Sequence, residues 1–387
     1  MKLARFLMLL AAGLAPSCGH RRPGADGLAA AEARAAHYQD SSGLLVGTYG
    51  VWALQPLPGP FRAEARALAD YVRLDPGRGF DPADPEANRS APDAVTSASA
   101  TAGGGQVSSE WRFEGQLGLD VEGQLGGGPA SAGVIARVST EPDYKSWSTA
   151  VRGAVELFER NTALGLLLGY GRDRVEPVEV FGGQEAAWPA GHDRWAASTS
   201  LTQVLSPRWL LRAGLGATWQ RGTLTSPYRR ALVRPTLLLP EALPRARDRY
   251  TGFVGASFSI SPALALHLSQ GGYLDSWSVA AVIPEVTLAA EVHPGIVVSG
   301  GYRFYAQSEA EFYQATYAEP QPVMTGDLRL GQIRDHTLSL ELVRQFRAGE
   351  RIALPVVAGY QLSVLDYKAV GSRVMAHVFS LGLGVEH

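Results

Sequence analysis

Three scarcities narrow the reading before any motif does. Among 387 residues there is one cysteine, Cys18, so the chain forms no internal disulfide and no paired-cysteine metal site. Lysine occurs only at Lys2, Lys145 and Lys368, so the basic residues are almost all arginine, and 35 Lys and Arg against 37 Asp and Glu leave a net charge of −2. That balance provides no electrostatic basis for nucleic-acid binding, and no nucleic-acid partner is expected. After the first fifteen residues no apolar run reaches the roughly 20 residues that a transmembrane helix needs. If the chain crosses a membrane it does so as a closed barrel, because only helices and barrels satisfy their own backbones in lipid.

What is present is strict two-residue alternation. In Ser109–Glu122, Trp111, Phe113, Leu117, Leu119 and Val121 share one face, and Arg112, Glu114, Gln116, Asp120 and Glu122 share the other. The pattern recurs at Trp147–Leu157, at Trp209–Gln220 and from Phe379 to Val385. Connections alternate in length as well: short turns at Glu159–Thr162, Ser206–Arg208, Ser261–Ala263, His293–Gly295 and Arg347–Arg351 oppose long loops at Asp173–Asp193, Gly222–Arg249 and Ala306–Gly326. Short periplasmic turns against long external loops are the asymmetry of outer-membrane barrels. The expected fold is therefore all-β, a transmembrane antiparallel up-and-down barrel of roughly 12–14 strands with a partly disordered N-terminal extension. Trp147, Trp195, Trp209, Trp219, Tyr170, Tyr302 and Phe304 are placed as interfacial girdles, with ordinary core packing as the alternative for each. A soluble β-sandwich stays open as the competing architecture.

Lys2 and Arg5 before the apolar run Phe6–Ala15 have the form of a secretory signal, which predicts export through the Sec pathway to the bacterial outer membrane. Leu14–Cys18 resembles a lipoprotein box, so Cys18 is a candidate for lipidation, the alternative being an ordinary signal peptide. The expected division is a signal peptide over 1–17, a periplasmic or low-order extension or plug over 18–106, and the barrel over 107–387. Within the extension, the alanine-rich pieces Ala29–Ala36 and Arg62–Val72 read as short helices and Leu44–Leu54 as a strand. The chain ends Val385-Glu386-His387, without the terminal aromatic residue common in such barrels.

The densest motif is Tyr302-Arg303-Phe304-Tyr305-Ala306-Gln307, followed by Ala310-Glu311-Phe312-Tyr313. It resembles the hallmark of a bacterial family known as domain of unknown function 3570, with looser echoes at Asp93–Ser99, Ser226–Arg229, Tyr273 with Asp275 and Trp277, and Asp327–Leu330. The resemblance spans about residues 93 to 387 and implies an outer-membrane barrel, with no activity attached. From it come the candidate lumen and loop residues Arg303, Tyr305, Gln307, Glu311, Tyr313, Asp327 and Arg329. Arg303 is expected to pair with a lumen carboxylate such as Glu285 or Glu341 and to fix the following loop inside the barrel, the alternative being mutual structural pairing.

No catalytic, cofactor or metal residues are expected. Asp335 and His336 are adjacent on a strand and so face opposite ways, as do His336 and Ser339, which excludes a triad there. His192-Asp193 reads as a hydrated loop, and His267, on the face of Ala265 and Ser269, as a lumen filler. Arg112, Arg137, Arg152, Arg212, Arg303 and Arg329 are placed inward with Glu114, Glu156, Glu291 and Glu341. They would form either an anion-favouring ring or a network of ion pairs. The functional expectation is a pore or transport-related barrel without catalysis, with a non-conducting scaffold as the alternative. Expected partners are outer-membrane lipids, the barrel-assembly machinery, and a small solute or a periplasmic protein.

Overall fold

The computed structural model describes residues 29–74, 108–177, 187–349 and 352–386. The signal-peptide and Cys18 expectations lie outside these residues, as do the Pro/Gly/Ser-rich segments between 75 and 107. Among the described residues there are eighteen strands. They are β1 (Ala30–Asp40), β2 (Leu44–Pro56), β3 (Phe61–Leu74), β4 (Ser108–Leu125), β5 (Gly128–Thr140) and β6 (Tyr144–Leu157). Next come β7 (Thr162–Val175), β8 (Ala190–Ser206), β9 (Trp209–Gly222), the short β10 (Arg230–Val233) and β11 (Leu237–Pro240), and β12 (Ala246–Ser261). The chain continues with β13 (Leu264–Asp275), β14 (Ala280–His293), β15 (Ile296–Gln307), β16 (Ile333–Ala348), β17 (Ile352–Tyr367) and β18 (Ser372–Glu386). All but β10 and β11 form one closed antiparallel barrel of sixteen strands, each paired with its chain neighbour, and β1 pairs with β18 to seal it.

The alternation read from β4 holds in three dimensions. Trp111, Phe113, Leu117, Leu119 and Val121 are exposed on the outer wall, while Glu114 and Asp120 are buried within. The same outer belt continues through Val151, Leu166, Leu215, Leu288, Leu340 and Leu381. A sheet that is apolar outside, charged inside and without a free edge is a membrane-spanning barrel, because water would not tolerate that exterior and lipid would not tolerate an edge. Aromatic clusters mark its rims: Tyr71, Trp111 and Phe113, then Trp147, Tyr170 and Trp195, lie towards the long-loop end. Trp209 packs on Phe258 towards the short-turn end.

Two expectations are corrected. The strand count is sixteen rather than 12–14, and the difference comes from the segment read as an extension or plug. Residues 30–74 are not periplasmic: they are wall strands β1, β2 and β3, and the two alanine-rich pieces are strands rather than helices. Ala31, Ala33 and Ala35 on β1, and Ala63, Ala65, Ala67 and Ala69 on β3, alternate with Glu32 and Arg34, and with Arg62, Glu64, Arg66 and Asp70. Pairing across the sheet and the closed seam override alanine's helical preference.

The lumen is unevenly filled. Towards β3–β6, Arg152 reaches Asp120 on β4 (Nε–Oδ1 2.8 Å) and Glu64 on β3 (Nη2–Oε2 2.9 Å), Arg112 meets Asp70 at 2.9 Å, and Arg137 pairs with Glu114. Towards the middle of β8, β9 and β12 the inward serine, threonine and glycine positions are small, and Ser198, Ser200 and Thr251 stay solvent-exposed inside the barrel. Arginine at the centre of the outer belt should therefore cost far more than arginine in the lumen. Val151→Arg is expected to lower stability in lipid vesicles by about 2–4 kcal/mol. Ser198→Arg, whose guanidinium stays hydrated, should lie within about 0.5 kcal/mol of wild type in the same denaturant titration.

Candidate functional site

The loops between β9 and β12 and between β15 and β16 do not project away from the barrel; they fold into its mouth. The β10–β11 hairpin, in the loop after β9, zips onto the loop between β15 and β16: Arg234 N–H donates to Tyr317 O (2.8 Å), Tyr317 N–H to Leu232 O (2.9 Å), and Ala242 and Met324 exchange both bonds at 2.9 Å. Ala231, Val233, Tyr317 and Met324 bury the seam. A second cluster joins Trp277, Val279, Ala310, Tyr313 and Leu330 to the inward Tyr273, and a third sets Leu328 against the inward Tyr305 and Tyr367. Gly326 is required where the loops cross, since a Cβ there would overlap the carbonyl of Arg230.

At the centre of the cap, Arg229 lies between two carboxylates, 3.1 Å from Asp327 Oδ2 and 3.8 Å from Glu241 Oε2. Glu241 accepts from Ser226 N–H at 2.9 Å and from the Thr325 hydroxyl. Asp327 caps the single turn Leu328–Leu330, accepting from Arg329 N–H at 3.0 Å and from its Nε at 2.9 Å. The two acids are driven apart. Burial raises Glu241 above the ordinary glutamate range, with Arg229 opposing. Burial would raise Asp327 too, but the Arg229 and Arg329 guanidiniums outweigh it and hold that carboxyl well below the usual range.

Beneath this cap lies a cavity of about 140 Å³, walled by the loop ends of β6–β9 and β12 and roofed by residues 223–229 and Asp327–Leu330. Register brings its wall together: Asp173 opposes His192, Arg194 opposes Gln220, and Gln220 opposes Arg247. His192 Nε2 is 2.9 Å from Asp173 Oδ2 and 3.1 Å from the Gln220 amide. Arg247 Nε donates to Asp275 Oδ2 at 2.8 Å, and its guanidinium lies 4.1 Å above the Trp277 ring. Gly222 makes the close approach of β9 to β8 here, because a Cβ would stand 2.7 Å from His192 Cα.

The residues picked out in the sequence divide between two places. Gln307 donates to Arg329 O (2.7 Å) and Gly331 O (2.8 Å) and accepts from the Tyr305 hydroxyl, tying the loop to the wall. Tyr313 is buried in the cap and Glu311 accepts from Ser278 at 3.2 Å. Asp327 and Arg329 reach the cavity; Arg329 lies in the loop, not on a strand. Arg303 meets a lumen carboxylate, but it is Asp335 across the β15–β16 pair, at 3.6 Å, rather than Glu285 or Glu341. Asp335 and His336 do face opposite ways, His336 contacting Tyr302 on the outer wall. His192 is buried on β8 rather than in a hydrated loop, and Asp193 points outward to the Tyr170 hydroxyl at 2.7 Å. Sequence reasoning missed Asp143, Gln220, Arg247 and Arg249. The sequence signal nearest to the cavity was Ser226–Arg229, which forms part of its roof.

A closed sixteen-strand barrel with an apolar girdle and inward-folded loops defines an outer-membrane β-barrel protein. The family model described as Protein of unknown function (DUF3570) matches residues 128–376, more than half of the chain, and the protein belongs to that family. No curated protein matches. Similar solved structures include a bacterial polysaccharide outer membrane secretin, 9% identical, covering 92% of this chain and 98% of that one with a TM-score of 0.49. OpdK of Pseudomonas aeruginosa, solved with vanillate, is 12% identical over 94% and 99% with a TM-score of 0.44. OprD of the same organism is 7% identical over 93% and 95%, also at 0.44. Each score is below 0.5, and the barrel assignment rests on the strand pairing itself.

The opposed acids give the cap a two-sided pH response. Asp327, held low, contributes stability above the ordinary aspartate range and loses it as pH falls below about 4. Glu241, held high, contributes below the ordinary glutamate range and loses that contribution as pH rises through its raised value. Protease protection of residues 223–245 and 308–332 should therefore be higher at about pH 5 than at about pH 7, and decline progressively as pH falls below about 4. Glu241→Gln should remove the first difference at little cost. Asp327→Asn, which strands Arg229, should loosen the cap by about 3 kcal/mol at neutral pH in the same assay.

Proposed function

We propose that the protein is a passive, solute-selective pore of the outer membrane without catalytic activity. The observation that supports this best is the exposed inner wall at β8–β12. Phe253 points inward yet is 45% exposed, beside the equally inward and exposed Ser198, Ser200 and Thr251. Exposure inside a closed barrel means space along that wall, and barrels of 16 to 18 strands are wide enough for an aqueous channel. The inward loops then act as the constriction, and their charged cavity as the point where a solute is first held. Its partners in this reading are outer-membrane lipids, the assembly machinery that inserts it after export through the Sec pathway, and a small solute.

The second reading, a non-conducting scaffold for a periplasmic protein, is favoured by the ion pairs of Arg152, Arg112 and Arg137, which occupy the β3–β6 side. Planar-bilayer recording separates the two. The pore reading expects steady unitary current from the refolded full chain, lowered by Ser200→Trp in the lumen and unaltered by Thr199→Trp on the outer face. Silence from correctly folded protein would leave the scaffold reading.

A further inference from the structure

Polar atoms buried without a partner are uncommon in folded proteins, and each one asks what satisfies it. Several of those in this barrel converge on the cavity beneath the cap. Asp143 Oδ1, His192 Nδ1, Gln220 Oε1, Arg229 Nη2 and Arg249 Nε belong to residues that line it, and none of these atoms has a hydrogen-bond partner. Four of these side chains belong to residues that are more than nine-tenths buried: Asp143 at 5% exposure, Arg229 at 6%, Gln220 at 7% and His192 at 8%.

Their charges have a pattern. Arg247 is committed to Asp275, and Arg229 and Arg329 share Asp327. Among the described residues, Arg249 and Asp143 are left without a salt bridge, one cation and one anion lining the same small space. Asp275, opposite Arg249 in the β12–β13 register, is taken by Arg247. His192 Nε2 faces the Asp173 carboxylate and so carries its proton there. The Gln220 oxygen is then best turned to that N–H, with the amide N–H₂ towards the cavity. A ligand that satisfies this set needs an anionic group for Arg249 and Arg229 and a cationic donor for Asp143. A simple anion leaves Asp143 buried and unpaired; a simple cation does the same to Arg249.

We propose that this cavity is a binding site for a small zwitterion, an amino-carboxylate of about six to eight non-hydrogen atoms, its carboxylate on Arg249 and Arg229 and its ammonium on Asp143. The size follows from the volume: a protein cavity of about 150 Å³ accepts a six-carbon ring, and this one is about 140 Å³. The transport role of the site rests on the pore reading; the binding itself does not.

The test is isothermal titration calorimetry of the full refolded barrel in detergent with L-alanine, β-alanine and γ-aminobutyrate. Propionate and propylammonium serve as half-ligands. At least one zwitterion should saturate below roughly 1 mM, with both half-ligands at least tenfold weaker. Arg249→Gln and Asp143→Asn, each checked for heat-modifiable gel mobility, should each weaken the zwitterion by tenfold or more. Heat from none of the three zwitterions, or propionate or propylammonium binding as tightly as the best of them, would overturn the proposal using wild-type protein alone. Water filling the cavity would then account for the unpaired atoms. Because calorimetry needs no current, binding without conductance would remove the pore reading alone, and conductance without binding the zwitterion site alone.

Discussion

Within the apolar belt no water is available, so every peptide N–H and C=O of the wall must find its partner in another strand of the same chain. The rest of the structure follows from that requirement. It forces the sheet to close, and closure makes β1 pair with β18 along its whole length. It fixes register, because a slip of one residue would turn the outer leucines inward and the inner carboxylates into lipid. It also sends all the awkward chemistry to one place. Charges that the outer face rejects must go to the lumen or the loops.

Inside, the same exclusion acts a second time in milder form. A carboxylate within the barrel is either hydrated or paired, and on the β3–β6 side it is paired: Glu64, Asp70, Glu114 and Asp120 each lie against an arginine. On the opposite side the mid-wall positions are serine, glycine and threonine and leave room, while arginines such as Arg247 and Arg249 gather at the loop end. The asymmetry divides labour round the wall, one arc being braced and the other open, with one of the two cap loops, that between β9 and β12, rooted on the open arc. At the mouth the pairing is nearly complete, which makes the few atoms left over informative. Arg229 between Glu241 and Asp327 holds the roof, whereas Arg249 and Asp143 below it make no salt bridge among the described residues.

How much of this was legible in the sequence depends on side-chain size and on sequence distance. The faces of β4, β9 and β18 could be read residue by residue, because leucine and the aromatics contrast sharply with arginine, glutamate and glycine. The faces of β1 and β3 have the same alternation, Glu32 and Arg34 or Arg62, Glu64 and Arg66 between alanines. Alanine, though, marks a lipid face only faintly and a helix strongly, so these segments read in the sequence as short helices of an extension. The motif from Tyr302 to Tyr313 did locate the loop anchor, through Gln307 and Tyr313. The cavity was not legible. Its wall draws Asp143, His192, Gln220 and Arg249 from four separate strands or loops, brought together only by register and not by any local spacing.

The seam between β1 and β18 also bears on timing. The two strands that seal the barrel are the first and last of the wall, so the contact that removes the final free edges joins residues at opposite ends of the described chain, from Ala30 with Glu386 to Asp40 with Ala376. A ribosome delivers them in that order, and no shorter nascent piece can satisfy its own edges. Pairings between such distant residues are slow to form because the intervening chain must be brought round first. During that interval the exposed edge of β1 is a template for any other strand it meets. How long that edge stays open is set by the arrival of β18, the last strand made.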